Sequence, residues 1–143
     1  MGKAMHELKM DIDALNAFLV SEFPQVADDF EIESLETMRL RVRLRTRPAH
    51  LRPGGTVSGP TMFALADVAV YLAVLSLVGP KALAVTTNCA IDFMRKPAAD
   101  LDLIADVEIL KLGRSLAVGD VRLFGEGHED RPVARASLTY SIP

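Results

Sequence analysis

The feature that most constrains this chain is an apolar stretch at residues 58–78, SGPTMFALADVAVYLAVLSLV. Ser58 and Pro60 are typical of a helix start, and Gly79 followed by Pro80 ends the pattern. Because apolar residues cover every side of this helix rather than one stripe, other parts of the chain have to enclose it. The sequence therefore predicts one long central helix around which the rest of the chain folds.

A single acidic side chain interrupts this stretch. Asp67 follows Ala66 and precedes Val68, and an unpaired charge in such surroundings is costly to remove from water. Buried carboxylates are uncommon without a role, so Asp67 is the leading catalytic candidate. The alternative is a structural acid, neutralised or hydrogen-bonded to a helix end or to a Thr across an interface.

A transmembrane helix is the first alternative for the stretch, since about 18 to 20 apolar residues cross a bilayer. Asp67 near the middle, the lack of a flanking Trp or basic cluster, and the strand-like segments that follow favour a buried helix instead. We therefore expect no membrane partner.

Composition points to one cytoplasmic domain. The chain has 143 residues, half of them hydrophobic, which predicts a single domain over residues 1–143 with a helical extension at 1–28. A net charge of -3 argues against a dedicated nucleic-acid-binding protein. The single cysteine, Cys89, rules out an internal disulfide, and the acids and lysine among residues 7–13 interrupt any signal peptide. We expect a cytoplasmic protein.

Periodicity predicts an α+β domain. Helical spacing at residues 10–23 indicates a short packing helix that ends before Pro24. Alternating segments with short turns predict an antiparallel sheet of five to six strands wrapped around the central helix. These segments are residues 30–35, 38–47, 83–94, 101–112, 116–124 and 133–142.

The second of these strands carries arginine at every other position. The row could bind phosphate groups, but rows of charge on strands are ordinary surface. We favour a solvated outer face whose guanidinium groups pair with acids on a neighbouring strand. The row consists of Arg39, Arg41, Arg43, Arg45 and Arg47.

The start of the central helix offers a second catalytic group. A free amide at a helix N-terminus can stabilise an oxyanion, and Gly59 allows close approach of a ligand. Asp67 lies eight residues further on, about 12 Å along the axis, which is too far for both groups to act on one carbonyl. If both are catalytic they come from different chains, which predicts a homodimer with two composite sites.

The remaining candidates are weaker. His50 could bind substrate or orient the loop before the helix, and Ser58 fits a helix cap better than a nucleophile. Arg114, at a turn between strands, could bind a phosphate. No histidine is near Cys89 in sequence to activate it, and no second ligand stands at metal spacing, so we expect no metal site.

Four segments in order resemble the hotdog-fold acyl-CoA thioesterases, in particular the phenylacetate-pathway (PaaI-like) type. They are HLRPGGTVSGPTMFALAD at residues 50–67, VTTNCAIDFMRKPA at 85–98, LGRSLAV at 112–118 and PVARASLTYSI at 132–142. The resemblance implies a helix wrapped in a sheet, a homodimer or homotetramer, and hydrolysis of an acyl-CoA.

The resemblance also implies roles for individual residues. Asp67 matches the catalytic acid, Gly59 the residue whose amide contacts the thioester carbonyl, and Thr86 a position that assists the attacking water. Candidate substrate-binding residues are His50, Arg52, Ser58, Pro60, Phe63 and Tyr71. Candidates near the coenzyme A tail are Arg95, Lys96, Gly113, Arg114 and Ser115.

Two positions depart from the family pattern. Ser58-Gly59-Pro60 stands where members commonly have His-Gly-Gly, and Arg52 stands where many have Asn or Gln. A guanidinium there could bind a carboxylate or phosphate, which would change substrate choice or remove turnover.

The predicted function is hydrolysis of a small or medium acyl-CoA thioester, aromatic acyl groups included, with Asp67 as general base or nucleophile. No cofactor is expected beyond the coenzyme A of the substrate. The alternative is a binding module that holds acyl-CoA without hydrolysing it. A hydratase is weaker, because only His50 could serve as its histidine.

Overall fold

The computed structural model describes residues 7–143 as two α-helices and one six-stranded sheet. Every neighbouring pair of strands is antiparallel, and the strand order is β1-β2-β4-β5-β6-β3. The predicted α+β fold with a long central helix is confirmed. Residues 1–6, which begin the predicted extension, lie outside the described residues. The elements are α1 (Ile12–Glu22), β1 (Phe30–Glu36), β2 (Arg39–Leu44), α2 (Gly59–Val78), β3 (Val85–Phe93), β4 (Leu103–Leu112), β5 (Leu116–Gly125) and β6 (Ala134–Ser141).

The central helix α2 begins and ends as its sequence predicts. The Ser58 hydroxyl accepts a hydrogen bond from the Thr61 amide at 3.3 Å, and Gly79 closes the helix at a φ of 92°. The concave side of the sheet packs against α2 through five of its six strands. Within residues 7–143, α2 is also the one helix long and apolar enough to span a membrane, with 67% of its most apolar window buried inside the protein.

Burial along α2 is uneven. Residues 69–77 are buried without exception, whereas Phe63 and Ala64 are exposed and Val68 is half-buried. The prediction that the chain encloses this helix on every side therefore holds for its C-terminal half only. The N-terminal half leaves an apolar stripe on the surface of the single chain.

Helix α1 is fixed to the C-terminal half of α2. The Asp11 carboxylate caps α1 by accepting from the Ala14 amide at 2.8 Å, and Leu15 and Leu19 are buried in the core. Just before the helix, the Lys9 amide donates to the Ser76 carbonyl at 2.6 Å. The predicted packing helix is thus present and anchored at its start.

The arginine row lies on the outer face of the sheet and pairs with acids, as predicted. Arg43 shows the pattern best, since its guanidinium contacts Glu33, Asp102 and Glu126 at 2.7 to 3.0 Å. These three partners raise the pKa of Arg43. The guanidinium groups are therefore engaged by acids of the same chain, which argues against a phosphate-binding strip.

Strand β3 departs from the predicted alternation. A bulge between Thr86 and Asn88 shifts its register against β6. As a result Thr86 and Cys89, which strict alternation would place on opposite faces, are both half-buried, whereas Thr87 is exposed. The alternation predicted for residues 83–94 is therefore interrupted at the bulge, and the Thr86 hydroxyl faces Asp67 of α2.

Candidate active site

Asp67 is held by two hydroxyl groups that converge on one of its oxygens. Thr86 Oγ1 donates to Asp67 Oδ1 at 2.6 Å, and the Tyr140 hydroxyl lies 2.5 Å from the same oxygen. Thr86 and Tyr140 are direct cross-strand neighbours, so β3 and β6 present both hydroxyls to α2 together. Among the hydrogen bonds of residues 7–143, Asp67 Oδ2 has no partner, which leaves it available for chemistry.

Tyr140 is a site residue that sequence reasoning missed. Burial, followed by its hydrogen bond to Asp67, raises the pKa of Tyr140 well above the usual range, so the phenol stays protonated and remains a donor. The same hydroxyl lies 3.0 Å from the Asp67 backbone carbonyl. Its only sequence signal was its status as one of two tyrosines, since its closeness to Asp67 depends on the pairing of distant strands.

Asp67 borders an apolar pocket of about 420 Å³. Tyr71, one of the predicted substrate-binding residues, lies in this pocket with Thr86 and Tyr140. Burial raises the pKa of Tyr71, and its hydroxyl donates to the Ala82 carbonyl at 3.3 Å. The remaining walls come from Leu19, Phe23, Val26, Val68, Ala82, Ala84 and Val85.

Gly59 lies in a different pocket, of about 360 Å³, at the start of α2. Its amide has no acceptor among the backbone hydrogen bonds of the described chain. Three predicted site residues, Arg52, Arg95 and Lys96, line this pocket beside Gly59. One chain therefore keeps the free amide and Asp67 apart, with the basic side chains grouped around the amide.

Several other predicted site residues lie outside both pockets. Phe63 belongs to the exposed stripe of α2, Pro60 is exposed at its first turn, and Ser58 is the half-buried helix cap. Gly113 and Arg114 line a third pocket at the opposite end of α2, beside Leu77 and Lys81, and Ser115 is exposed in the same turn.

His50 is turned into the chain rather than toward either pocket. Its Nδ1 accepts from the Arg47 amide at 3.1 Å, and its Nε2 lies 3.4 Å from Asp29 Oδ2. Its carbonyl accepts from the Ser58 amide at 2.9 Å, which ties the loop to the start of α2. Of the two roles predicted for His50, this geometry favours orientation of the loop.

The Cys89 thiol and groups of metal-binding side chains are the other candidates for chemistry in residues 7–143. Burial, together with the negative charge of Asp67, raises the pKa of Cys89 and so disfavours its reactive thiolate. Among these residues no three His, Cys, Asp or Glu side chains are grouped so that they could hold a metal ion.

Comparison with known families identifies the superfamily of this chain. Residues 54–131, the segment from the loop before α2 to the turn before β6, match the sequence profile of the Thioesterase superfamily. The chain belongs to this superfamily. Comparison with curated proteins gave no significant match.

Solved thioesterase structures share the whole fold. A candidate thioesterase from a Silicibacter species is 55% identical with a TM-score of 0.89, covering 96% of this chain and 95% of its own. The phenylacetic acid degradation protein PaaI from Thermus thermophilus, solved as a point mutant, is 26% identical with a TM-score of 0.71, covering 84% and 99%. A hypothetical thioesterase from Streptococcus pneumoniae, solved with coenzyme A, is 24% identical with a TM-score of 0.74, covering 93% and 97%. The predicted resemblance to hotdog-fold thioesterases of the PaaI-like type is confirmed.

Proposed function

We propose that this thioesterase-superfamily protein is a homodimer that hydrolyses a small or medium acyl-CoA, aromatic acyl groups included, to the free acid and coenzyme A. The observation that carries the proposal is Asp67 at the edge of an apolar pocket, with one oxygen fixed by two hydroxyls and the other without a partner among the described residues. Superfamily membership supports the reaction class.

The reaction requires a base and an oxyanion donor. Asp67 Oδ2 takes a proton from water as the water oxygen attacks the thioester carbon, and the carbonyl oxygen becomes an oxyanion. The Gly59 amide of the partner subunit donates to that oxyanion. When the carbonyl re-forms, the carbon–sulfur bond breaks and the departing thiolate takes the proton from Asp67. The products are the carboxylic acid and the thiol of coenzyme A.

Direct attack by Asp67 is the second route to the same products. Its free oxygen would bond to the thioester carbon and expel the thiolate, leaving a mixed anhydride that water then hydrolyses. In both routes Thr86 and Tyr140 hold the other oxygen in place. Trapping with hydroxylamine during a single turnover separates the routes, because only the anhydride route forms an acyl group covalently bound to Asp67 that hydroxylamine can capture.

A second copy of the chain would complete the site. Phe63 and Ala64 on α2 are exposed. Among the strands of residues 7–143, β3 is an edge strand that pairs with β6 alone, and it exposes Val85 and Phe93. Exposed apolar surface beside an unpaired strand edge favours association. A two-fold axis beside these elements would set two α2 helices antiparallel and bring Gly59 of one chain toward Asp67 of the other.

The same arrangement accommodates coenzyme A. Arg95 and Lys96 lie at the N-terminal end of α2 and Arg114 at its C-terminal end, so antiparallel helices would bring the two groups toward each other. Their positive charge suits the phosphates of the nucleotide tail. The coenzyme A bound to the Streptococcus protein of the same fold supports this choice of substrate class.

Release of free thiol from a panel of short, medium and aromatic acyl-CoAs tests the proposal. Asp67→Asn keeps the shape of the side chain but removes the base, and we expect kcat to fall by about 10²- to 10⁴-fold. The matched control is Glu31→Gln, which neutralises an exposed carboxylate of β1 that pairs with Arg45 outside both pockets, at the opposite edge of the sheet from β3. It should retain nearly full activity.

Other results would change the assignment. Thiol release that survives in Asp67→Asn would rule out Asp67 as base or nucleophile. Binding of acyl-CoA without any thiol release by the wild type would favour the non-hydrolytic binding module, in which Arg52 beside Gly59 holds the ligand.

A further inference from the structure

Part of the wall of the pocket beside Asp67 comes from a region of the chain that precedes the match to the superfamily profile. Leu19 of α1, and Phe23 and Val26 just after the helix, line this pocket. The profile match begins at residue 54, so these three side chains precede it. The part of the pocket wall that comes from this region therefore lies outside the segment that matches the superfamily profile.

The walls of this pocket carry no charge apart from Asp67 itself. Its polar side-chain groups are the Asp67, Thr86 and Tyr140 cluster and the Tyr71 hydroxyl. The Tyr71 hydroxyl already donates a hydrogen bond to the Ala82 carbonyl. If the acyl group of a ligand carried a carboxylate or ammonium deep in this pocket, beyond Asp67, that charge would lose its hydrating water and find no oppositely charged side chain there.

Three aromatic rings that contact one another form part of the pocket wall. The ring of Phe23 meets that of Tyr71 edge-on, with 5.8 Å between centroids, and Tyr71 lies 5.9 Å from Tyr140. Edge-on pairs of this kind favour a defined ring orientation. Buried Leu15 and Leu19, together with the hydrogen bond from Lys9 to Ser76, hold α1 against this cluster.

We infer that this pocket is the acyl subsite of the proposed thioesterase, with α1 as its end wall and Phe23 as a specificity-determining residue. The subsite takes an uncharged, apolar acyl group of medium length, and the Phe23 ring stops longer chains. This inference rests on the proposed function, because it assigns the acyl half of the substrate of the same site.

The test compares two substrates in two variants. Phe23→Ala removes the end wall, and the ratio of kcat/KM for dodecanoyl-CoA to that for hexanoyl-CoA should rise by at least about tenfold, since one methylene in an apolar pocket is worth about 10-fold or more. The matched control is Phe18→Ala. Phe18 belongs to α1, which ends just before Phe23, and lies 6.3 Å from the same Tyr71 ring, but it does not line the pocket. Its substrate ratio should equal that of the wild type.

A ratio that stays unchanged in Phe23→Ala, or that shifts equally in Phe18→Ala, would overturn the inference. Melting temperatures of both variants show whether each remains folded. If Phe23→Ala does not fold, Phe23→Leu shortens the same side chain and should shift the ratio in the same direction, by less. Succinyl-CoA, whose acyl end is charged, should be a poorer substrate of the wild type than hexanoyl-CoA.

Binding of non-hydrolysable S-alkyl thioethers of coenzyme A separates this inference from the proposed function. If Phe23→Ala raises the affinity for the dodecyl thioether relative to the hexyl thioether, the subsite is supported even when no variant releases thiol. In that case only the hydrolase assignment fails. If the wild type hydrolyses acyl-CoA but Phe23→Ala changes neither the kcat/KM ratio nor the affinity ratio, the hydrolase assignment is retained and the subsite inference is rejected.

Discussion

The two halves of the proposed site are built in different ways. The Gly59 half offers a backbone amide, and the loop before it is fixed by an ionic cluster in which Arg47 contacts both oxygens of Asp29 at 2.8 and 3.1 Å and His50 lies beside them. The Asp67 half offers a side chain held only by neutral hydroxyls in an apolar pocket. The Asp29 carboxylate, whose two oxygens both bind a cation, has a structural role. The Asp67 carboxylate is held through one oxygen, so its second oxygen is available for chemistry.

Removing the amide is the strongest test of the Gly59 half. Gly59→Pro deletes the N–H while proline fits the first position of a helix, and Ser58 already has the extended backbone that precedes proline, with ψ of 154°. We expect kcat to fall by about 10²- to 10³-fold, the usual effect of losing one oxyanion donor.

Gly59→Ala is the matched control for this substitution. It keeps the N–H, and the added Cβ would meet the Phe93 ring at an ordinary 3.6 Å. Equal losses in the alanine and proline variants would show that shape, rather than the amide, matters at this position.

Removing one hydroxyl tests the Asp67 half. Tyr140→Phe deletes a hydrogen bond to a charged group, worth about 1.5 to 3 kcal/mol, so kcat should fall by about 10- to 100-fold with little change in KM. Tyr71→Phe is the control, because that hydroxyl bonds to the Ala82 carbonyl rather than to Asp67. A similar kcat in Tyr140→Phe and wild type would mean that Thr86 alone positions the carboxylate.

The smallest effect on turnover is expected from the ionic cluster. Asp29→Asn should lower the melting temperature by a few degrees, about 2 to 6 °C, and leave kcat nearly unchanged. The hydrogen bond from Arg47 holds the pKa of Asp29 below its ordinary value of 3.8.

The pH dependence of the stabilisation by Asp29 follows from its lowered pKa in the folded protein. The contribution of Asp29 is present above the ordinary pKa and is lost as the pH falls through the lower folded value. The melting temperatures of wild type and Asp29→Asn should therefore converge below about pH 4. A difference that persists in acid would indicate that the loss arises from packing instead of charge.

Local patterns in the sequence were enough to predict one part of this site. The capped apolar stretch placed α2 and Asp67, and strict alternation placed the arginine row outside, because both depend on neighbours within a few residues. The position of Thr86 beside Asp67 came only from the family resemblance, since the bulge in β3 breaks the alternation that a sequence reading relies on.

The contributions of distant segments could not be predicted. Tyr140 reaches Asp67 through the register between β3 and β6, and Phe23 reaches the pocket through the packing of α1 on α2. Both contacts join parts of the chain that are far apart in sequence, and neither has a local signature. The uneven burial of α2 was equally hidden, because composition alone does not show which apolar face stays on the surface.

A heterodimer of two inactive chains tests the central claim of a composite site most directly. The Asp67→Asn and Gly59→Pro chains would be co-expressed with different tags and purified through both tags. In such a heterodimer one site contains both substitutions. The other site combines the native Asp67 of the Gly59→Pro chain with the native Gly59 of the Asp67→Asn chain. The account predicts recovery of about half of the wild-type kcat per dimer, because one of two equivalent sites is restored. Activity no higher than the mean of the two parent homodimers would show that each site is formed within one chain, and would contradict the account.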